Sequence, residues 1–265
     1  MIISLVQTSI EWLDPTTNRE SAEGWIKKCR GSALCLLPEM FTTGFSMDPE
    51  RSAAEGQRTV EWMAQMASRY QMAIGGSVAV CEDGTFRNRF YVVERCGRRG
   101  FYDKRHLFTF AGEHLKYQAG SRRVIVEIEG VKILLLVCYD LRFPVWARNG
   151  WAEEGAECGV GSGAEYDVVA CVANWPKSRR GAWDTLLRAR AIENLAYVCG
   201  VNRVGEDPSC AYSGGTVAIG YKGETIAAVE DNTEGIVKLN VDIEGLKAFR
   251  AKFPALRDAD EFEIE

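Results

Sequence analysis

Histidine is nearly absent from this chain: its 265 residues include two, His106 and His114. Histidine is the side chain most often used as a base beside a nucleophile, so the scarcity turns the search toward carboxylates. No Cys-x-x-Cys pair occurs, and the nine cysteines are an odd number, several of them inside apolar runs. A disulfide framework and a zinc site are therefore disfavoured, and no metal is expected. Free thiols in a reducing cytoplasm are the simplest reading. No apolar stretch approaches the roughly 20 residues of a membrane-spanning helix. The opening Met1-Ile2-Ile3-Ser4-Leu5-Val6-Gln7 lacks the basic and long apolar regions of a secretory signal. There is no basic surplus either: 32 Lys and Arg stand against 37 Asp and Glu, a net charge of −5. That balance argues against nucleic acid or an anionic membrane as a partner.

What is present is an ample core. The chain is 46% hydrophobic, enough to read residues 1–265 as a single domain. Apolar runs of strand length alternate with amphipathic segments. Strands are predicted over 2–9, 33–37, 72–80, 89–94, 124–128, 131–137, 168–173, 197–204, 215–221, 225–230 and 236–241. Helices are predicted over 18–29, 60–70 and 182–196, with a short one from Pro144 to about Asn149. Glu129-Gly130 and Lys222-Gly223 read as turns. Strands outnumber helices and many neighbours look hairpin-linked. The fold class expected is α+β, a mixed-sheet sandwich with helices outside. Two segments break the pattern. Residues 151–163, WAEEGAECGVGSG, form a Gly- and Glu-rich insert that reads first as a surface loop. Residues from about 244 to 265 read as a C-terminal tail.

One run carries more chemical information than any other. Ile133-Leu134-Leu135-Leu136-Val137 is a buried strand that ends abruptly at Cys138, followed by Tyr139-Asp140-Leu141-Arg142-Phe143-Pro144. A cysteine at a strand tip can face a cleft, whereas Cys171 and Cys199 lie within their runs as small core hydrophobes. An isolated thiol, with a pKa of about 8.5, is only a few per cent thiolate at neutral pH, so it needs a base or a cation. Leu36-Leu37-Pro38-Glu39-Met40-Phe41 repeats the strand-end pattern with a carboxylate. Its apolar flanks keep water from Glu39, which suits it to accept a proton. Phe101-Tyr102-Asp103-Lys104-Arg105-His106-Leu107 adds a lysine set among aromatic residues. Taken alone Lys104 reads as a surface lysine; its weight comes from the set.

Glu39, Lys104 and Cys138, in that order and in these contexts, resemble the nitrilase superfamily of carbon–nitrogen hydrolases. Leu-Pro-Glu-Met-Phe, Tyr-Asp-Lys-Arg-His-Leu-Phe and Val-Cys-Tyr-Asp-Leu-Arg-Phe-Pro are similar to its glutamate, lysine and cysteine motifs. The similarity runs from Ile2 to about Val241. Ala111-Gly112-Glu113-His114-Leu115-Lys116-Tyr117 resembles the segment with a second active-site glutamate, here Glu113. Ala173-Asn174-Trp175-Pro176, with Trp183 and Arg188 to Asn194, is similar to the ω-amidase branch, which hydrolyses the terminal amide of 2-oxoglutaramate and related monoamides. The resemblance implies a four-layer α-β-β-α sandwich, commonly paired as a homodimer, with 182–196 as a plausible contact helix. It also implies a small-molecule amide as partner and no cofactor. Glu39 would take the Cys138 proton, and Lys104 and the Tyr139 N–H would hold the oxyanion. Glu113 would orient Lys104. Trp175, Arg142 and Tyr117 are candidates for binding substrate, with Arg179 and Arg180 further candidates for its carboxylate. Asp140-x-Arg142 reads first as a pair that fixes the cysteine turn, and Arg190 with Glu193 as a structural ion pair. The insert at 151–163 departs from the family's pattern and could border the cleft mouth or a subunit contact. A nitrilase, an N-carbamoyl hydrolase, another aliphatic amidase, an inactive binding protein on the same fold and a Cys-His protease stay open as alternatives.

Overall fold

Strand-length apolar runs separated by turn residues assemble into two six-stranded mixed sheets. The computed structural model describes residues 1–152 and 163–260. The amino-terminal part supplies β1 (Ile2–Gln7), α1 (Pro15–Lys28), β2 (Leu34–Leu36), α2 (Pro49–Ala53), α3 (Gly56–Tyr70), β3 (Ala73–Glu82), β4 (Thr85–Val93) and β5 (Arg99–Asp103). There follow β6 (Ile125–Ile128), β7 (Val131–Val137), α4 (Pro144–Ala147), β8 (Trp151–Ala152), β9 (Gly163–Ala164), β10 (Val168–Val172) and α5 (Arg180–Asn194). The chain continues through β11 (Tyr197–Val201), β12 (Val204–Glu206), β13 (Ala211–Ser213), β14 (Val217–Ile219), β15 (Thr225–Ala228), β16 (Gly235–Asn240) and α6 (Ile243–Lys252). One sheet runs β16-β1-β2-β3-β4-β5 and the other β15-β14-β11-β10-β7-β6. In each, three central strands are parallel and the flanking strands antiparallel.

The period of two along each strand builds the layers. In the first sheet Ile3, Leu5, Leu34 and Leu36 point into the core shared with the second sheet, among Leu134, Leu136 and Val168. Their neighbours Val6, Cys35 and Leu37 point the other way, onto Ile26 of α1 and Val60, Met63 and Ala67 of α3. On the far side Trp183, Leu187 and Ala191 of α5 close over the second sheet. The result is the expected α-β-β-α sandwich. Parallel strands end at one edge, so the carboxyl ends of β2, β5, β7 and β10 carry Glu39, Lys104, Cys138 and Asn174 to one place.

Several elements differ from the sequence reading; α2 and β13 were not predicted, and three further differences are instructive. Strand β5 went unpredicted because only one of its five residues, Tyr102, is buried. The helix after Pro144 stops at Ala147. Asn149 leaves the helix to hydrogen-bond Asn194 and the Tyr166 carbonyl. The tail contains α6, whose Leu246 and Arg250 lie one turn apart on a buried face. The insert lies mostly outside the described residues. Its ends, β8 and β9, pair with each other, and Ala164 accepts from Lys132 Nζ at 2.6 Å. That base sits at the amino end of β7 and β10, opposite Cys138, and so does not border the cleft mouth.

Arg250 binds Asp167 at 2.8 Å and also donates to the carbonyls of Leu195 and Tyr166. Arg250→Ala would leave a buried carboxylate unpaired. It is expected to lower unfolding free energy by about 3–5 kcal/mol, measured by urea denaturation.

Candidate active site

The second sheet delivers a thiol through a strained turn. Val137 is extended, but Cys138 has φ of +47°, in the left-handed region that costs a non-glycine residue roughly 1–2 kcal/mol. The chain then winds into a 3-10 turn, Cys138–Arg142. Asp140, fully buried, holds the turn in place. Its Oδ2 accepts from the Val137 N–H at 3.0 Å and from the Tyr102 hydroxyl at 2.8 Å. Its Oδ1 accepts from the His106 N–H at 2.9 Å and contacts His106 Nδ1 at 2.8 Å. One carboxylate thereby ties the cysteine turn to the segment after Lys104.

The expected Asp140–Arg142 pair does not form. The acceptors of Asp140 are filled by backbone, tyrosine and histidine. Arg142 is exposed and lies over the Trp175 ring, 5.1 Å from its centroid. Arg190 does bind Glu193, at 2.9 Å, and also donates to the Leu141 carbonyl. The histidines stand apart from the thiol. His106 stacks on Phe143 at 3.8 Å, and His114 is exposed. Neither lines the cleft that holds Cys138.

The first sheet and its loops supply the ionic groups. Lys104 Nζ lies 2.9 Å from Glu39 Oε1 and 3.0 Å from Glu113 Oε2, and all three side chains are buried. Burial alone would favour neutral Lys104, but Glu113 and Glu39 outweigh it and hold its pKa above the usual lysine value. The amine stays an ammonium. Burial raises the pKa of Glu113, Lys104 opposes the rise, and Glu39 adds to it. The Phe108 N–H, 2.6 Å away, fixes Glu113 Oε2. Burial and the neighbouring Glu39 carboxylate also push the Cys138 thiol well above its ordinary value, against the pull of Lys104. That direction favours a protonated thiol beside Glu39. Asn174 reaches across from the second sheet. Its N–H donates to Glu39 Oε2 at 2.8 Å and its Nδ2 to the Glu39 carbonyl at 2.6 Å.

A cleft of about 520 Å³ opens above these groups, with Lys104, Cys138, Tyr139 and Asn174 among its lining. Its walls are aromatic, including Phe45, Phe108, Phe110 and Trp175. Arg142 and Arg179 also line it, and the Arg179 guanidinium lies 5.2 Å from both the Phe108 and Phe110 ring centroids. Arg180 points elsewhere, bound to Asp184 and Asp231. Tyr117 is absent from the wall: it is buried near Met40 and Ala79 and donates to the Ser46 carbonyl at 2.9 Å. Trp183 belongs to the core and donates to the Gly215 carbonyl. The sequence reading missed Asn88, which donates to Glu39 at 2.7 Å, and gave Asn174 no role. A polar, poor strand former amid the strand Thr85–Val93 was the available signal for Asn88.

Thiol, carboxylate and ammonium in one dry pocket can perform nucleophilic acyl transfer. The chain belongs to the carbon–nitrogen hydrolase family, whose sequence model matches residues 2–251. It is 43% identical to the omega-amidase YafV of Escherichia coli K12, over 99% of this chain and 98% of that one. It is 33% identical to a 2-oxoglutaramate amidase of Bacillus subtilis, over 97% and 96% of the two chains. A CN-hydrolase superfamily protein from Xanthomonas campestris, crystallised with an arsenic adduct in its active site, superposes with a TM-score of 0.94. The two are 40% identical, over 100% of this chain and 99% of that one.

Lys104→Met would leave two buried carboxylates without their cation, and is expected to cost about 3–5 kcal/mol at pH 8. Glu113, already raised by burial, would then take up a proton in the folded state at a pH where the unfolded chain does not. A raised carboxylate stabilises at low pH and loses that contribution as pH rises through its folded value. The deficit should therefore shrink from pH 8 toward pH 5 in urea titrations. A deficit that does not change with pH would count against this electrostatic account.

Proposed function

We propose that this hydrolase is an ω-amidase, cleaving the terminal amide of a 2-oxoglutaramate-like dicarboxylic acid monoamide to acid and ammonia. The observation that carries the reading is a pair of arginines, Arg142 and Arg179, lining the same cleft as Lys104 and Cys138. Neither forms an ion pair among the described residues; both lie over aromatic faces. A substrate with a free carboxylate can bind one or both guanidiniums while its far amide reaches the thiol. The two relatives named for amidase activity support the same substrate class.

In this mechanism Glu39 removes the Cys138 proton as sulfur adds to the amide carbonyl. The Lys104 ammonium and the Tyr139 N–H take the developing oxyanion; Tyr139 is the second residue of the 3-10 turn Cys138–Arg142, where leading N–H groups have no partner within the turn. Glu39 returns the proton to nitrogen, ammonia leaves, and a thioester remains. Water, deprotonated by Glu39, then releases the acid. Glu113 holds Lys104 in place. Trp175 forms part of the cleft wall.

No helix among the described residues is long and apolar enough to cross a membrane. We read the protein as a cytoplasmic homodimer. Val145 of α4 and Ile192 of α5, both about half exposed, offer apolar contact points on the outer helices.

Ammonia release should be measured for wild type and Cys138→Ala on amides, nitriles and N-carbamoyl compounds. Monoamides of dicarboxylic acids should be turned over by wild type alone. Turnover of nitriles only would sink the amidase assignment, and turnover of nothing would favour a binding protein. Arg142→Ala and Arg179→Ala should each raise KM for the acidic amide about tenfold or more, from loss of a charge-assisted contact, and spare a neutral amide.

A further inference from the structure

The hydrogen bonds around Glu39 distinguish its two oxygens. Oε1 receives two donors, Lys104 Nζ at 2.9 Å and Asn88 Nδ2 at 2.7 Å. Oε2 receives one, the Asn174 N–H at 2.8 Å. A carboxylate oxygen offers about two lone-pair sites, so Oε1 is filled and Oε2 keeps one open.

Asn88 is buried, and its amide orientation follows from its neighbours. The Met40 N–H donates to Ser77 Oγ at 2.8 Å. A backbone N–H can only donate, so the Ser77 hydroxyl accepts there and turns its single proton to Asn88 Oδ1, also 2.8 Å away. With its oxygen taken, Asn88 presents its NH₂ to the carboxylates, reaching Glu113 Oε1 at 3.3 Å as well as Glu39. A flipped amide would set an oxygen against both. The path closes on itself, from the backbone N–H of Met40 through Ser77 and Asn88 to the side chain of the preceding residue, Glu39. It also anchors Met40, whose φ of +41° is in the left-handed region.

We propose that Asn88, oriented by Ser77, is a positioning residue that fills Oε1 of Glu39 and reserves Oε2 as the proton-carrying oxygen. The inference rests on Glu39 being the base. As the Sγ–H bond breaks, the Oε2–H bond forms. Sulfur bonds to the carbonyl carbon, and the π pair moves to oxygen. On collapse the C–N bond breaks and the Oε2 proton passes to nitrogen, which leaves as ammonia. Without Asn88 the proton can settle on Oε1, beside Lys104 and away from the leaving group.

Asn88→Ala should lower kcat about 10- to 100-fold, the range for losing a hydrogen bond to a charged group. KM should stay within about twofold, because Asn88 does not line the cleft. Alkylation of Cys138 by iodoacetamide, which also needs the thiol proton removed, should slow with kcat. Ser77→Ala removes the orienting hydroxyl, and with it the acceptor of the Met40 N–H, and should show the same split, at about tenfold or less. Circular dichroism reports folding; if Asn88→Ala does not fold, Ser77→Ala carries the test. Wild-type kcat and alkylation in a folded variant would overturn the proposal, as would a kcat loss with unchanged alkylation. Glu39→Gln separates the two readings. If it keeps wild-type kcat, the base assignment fails; if it is inactive while Asn88→Ala is not, only the role of Asn88 fails.

Discussion

The buried ammonium of Lys104, held between Glu39 and Glu113, is the constraint on which the site depends. Two carboxylates cannot share a dry pocket without a cation, and a cation cannot enter one without carboxylates. Each partner is brought by a different element: Glu39 follows β2, Lys104 follows β5, and Glu113 lies on a short turn, its side chain held by the Phe108 N–H. The charges therefore report on tertiary structure. If one element shifts, the other groups are left costly and unpaired. The supporting donors, Asn88, Asn174 and the backbone, are directional, which turns a cluster of charges into a defined geometry.

The thiol depends on a third carboxylate, one that does no chemistry. Asp140 spans the cysteine turn, Tyr102 of β5 and His106. Tyr102 also accepts from Trp146 at 3.0 Å and from the Arg105 N–H at 3.1 Å. Strand β5 thus carries the tyrosine that anchors the nucleophile's turn and, just past its end, leads into the lysine. The two sheets meet through this contact as well as through the apolar core. The left-handed conformation at Cys138 is held by that network.

Cys138 and Glu39 were legible because each interrupts an apolar run at the end of a strand, where a buried β pattern has no other use for charge; Lys104 gained its weight only beside them. Scarcity of histidine did the rest. Partner choice was not legible. Asp140 and Arg142 are near in sequence, yet the turn points one inward and the other to the cleft. Tyr117 sits beside a functional segment in sequence but packs behind it. Strand β5 was hidden because an edge strand with one buried residue has no period to read. Asn88 was hidden because its role depends on Ser77 and Glu39, distant in sequence.

The short ladder between Trp151–Ala152 and Gly163–Ala164 lies at the end of the sheet opposite the thiol. Chain joined at such a base can change in length with little effect on the rest. Each doubling of a loop adds only about 0.6 kcal/mol of closure entropy. This corner of the scaffold is thus a place where evolution, or an engineer, can graft new sequence while the chemistry at the far edge is left alone.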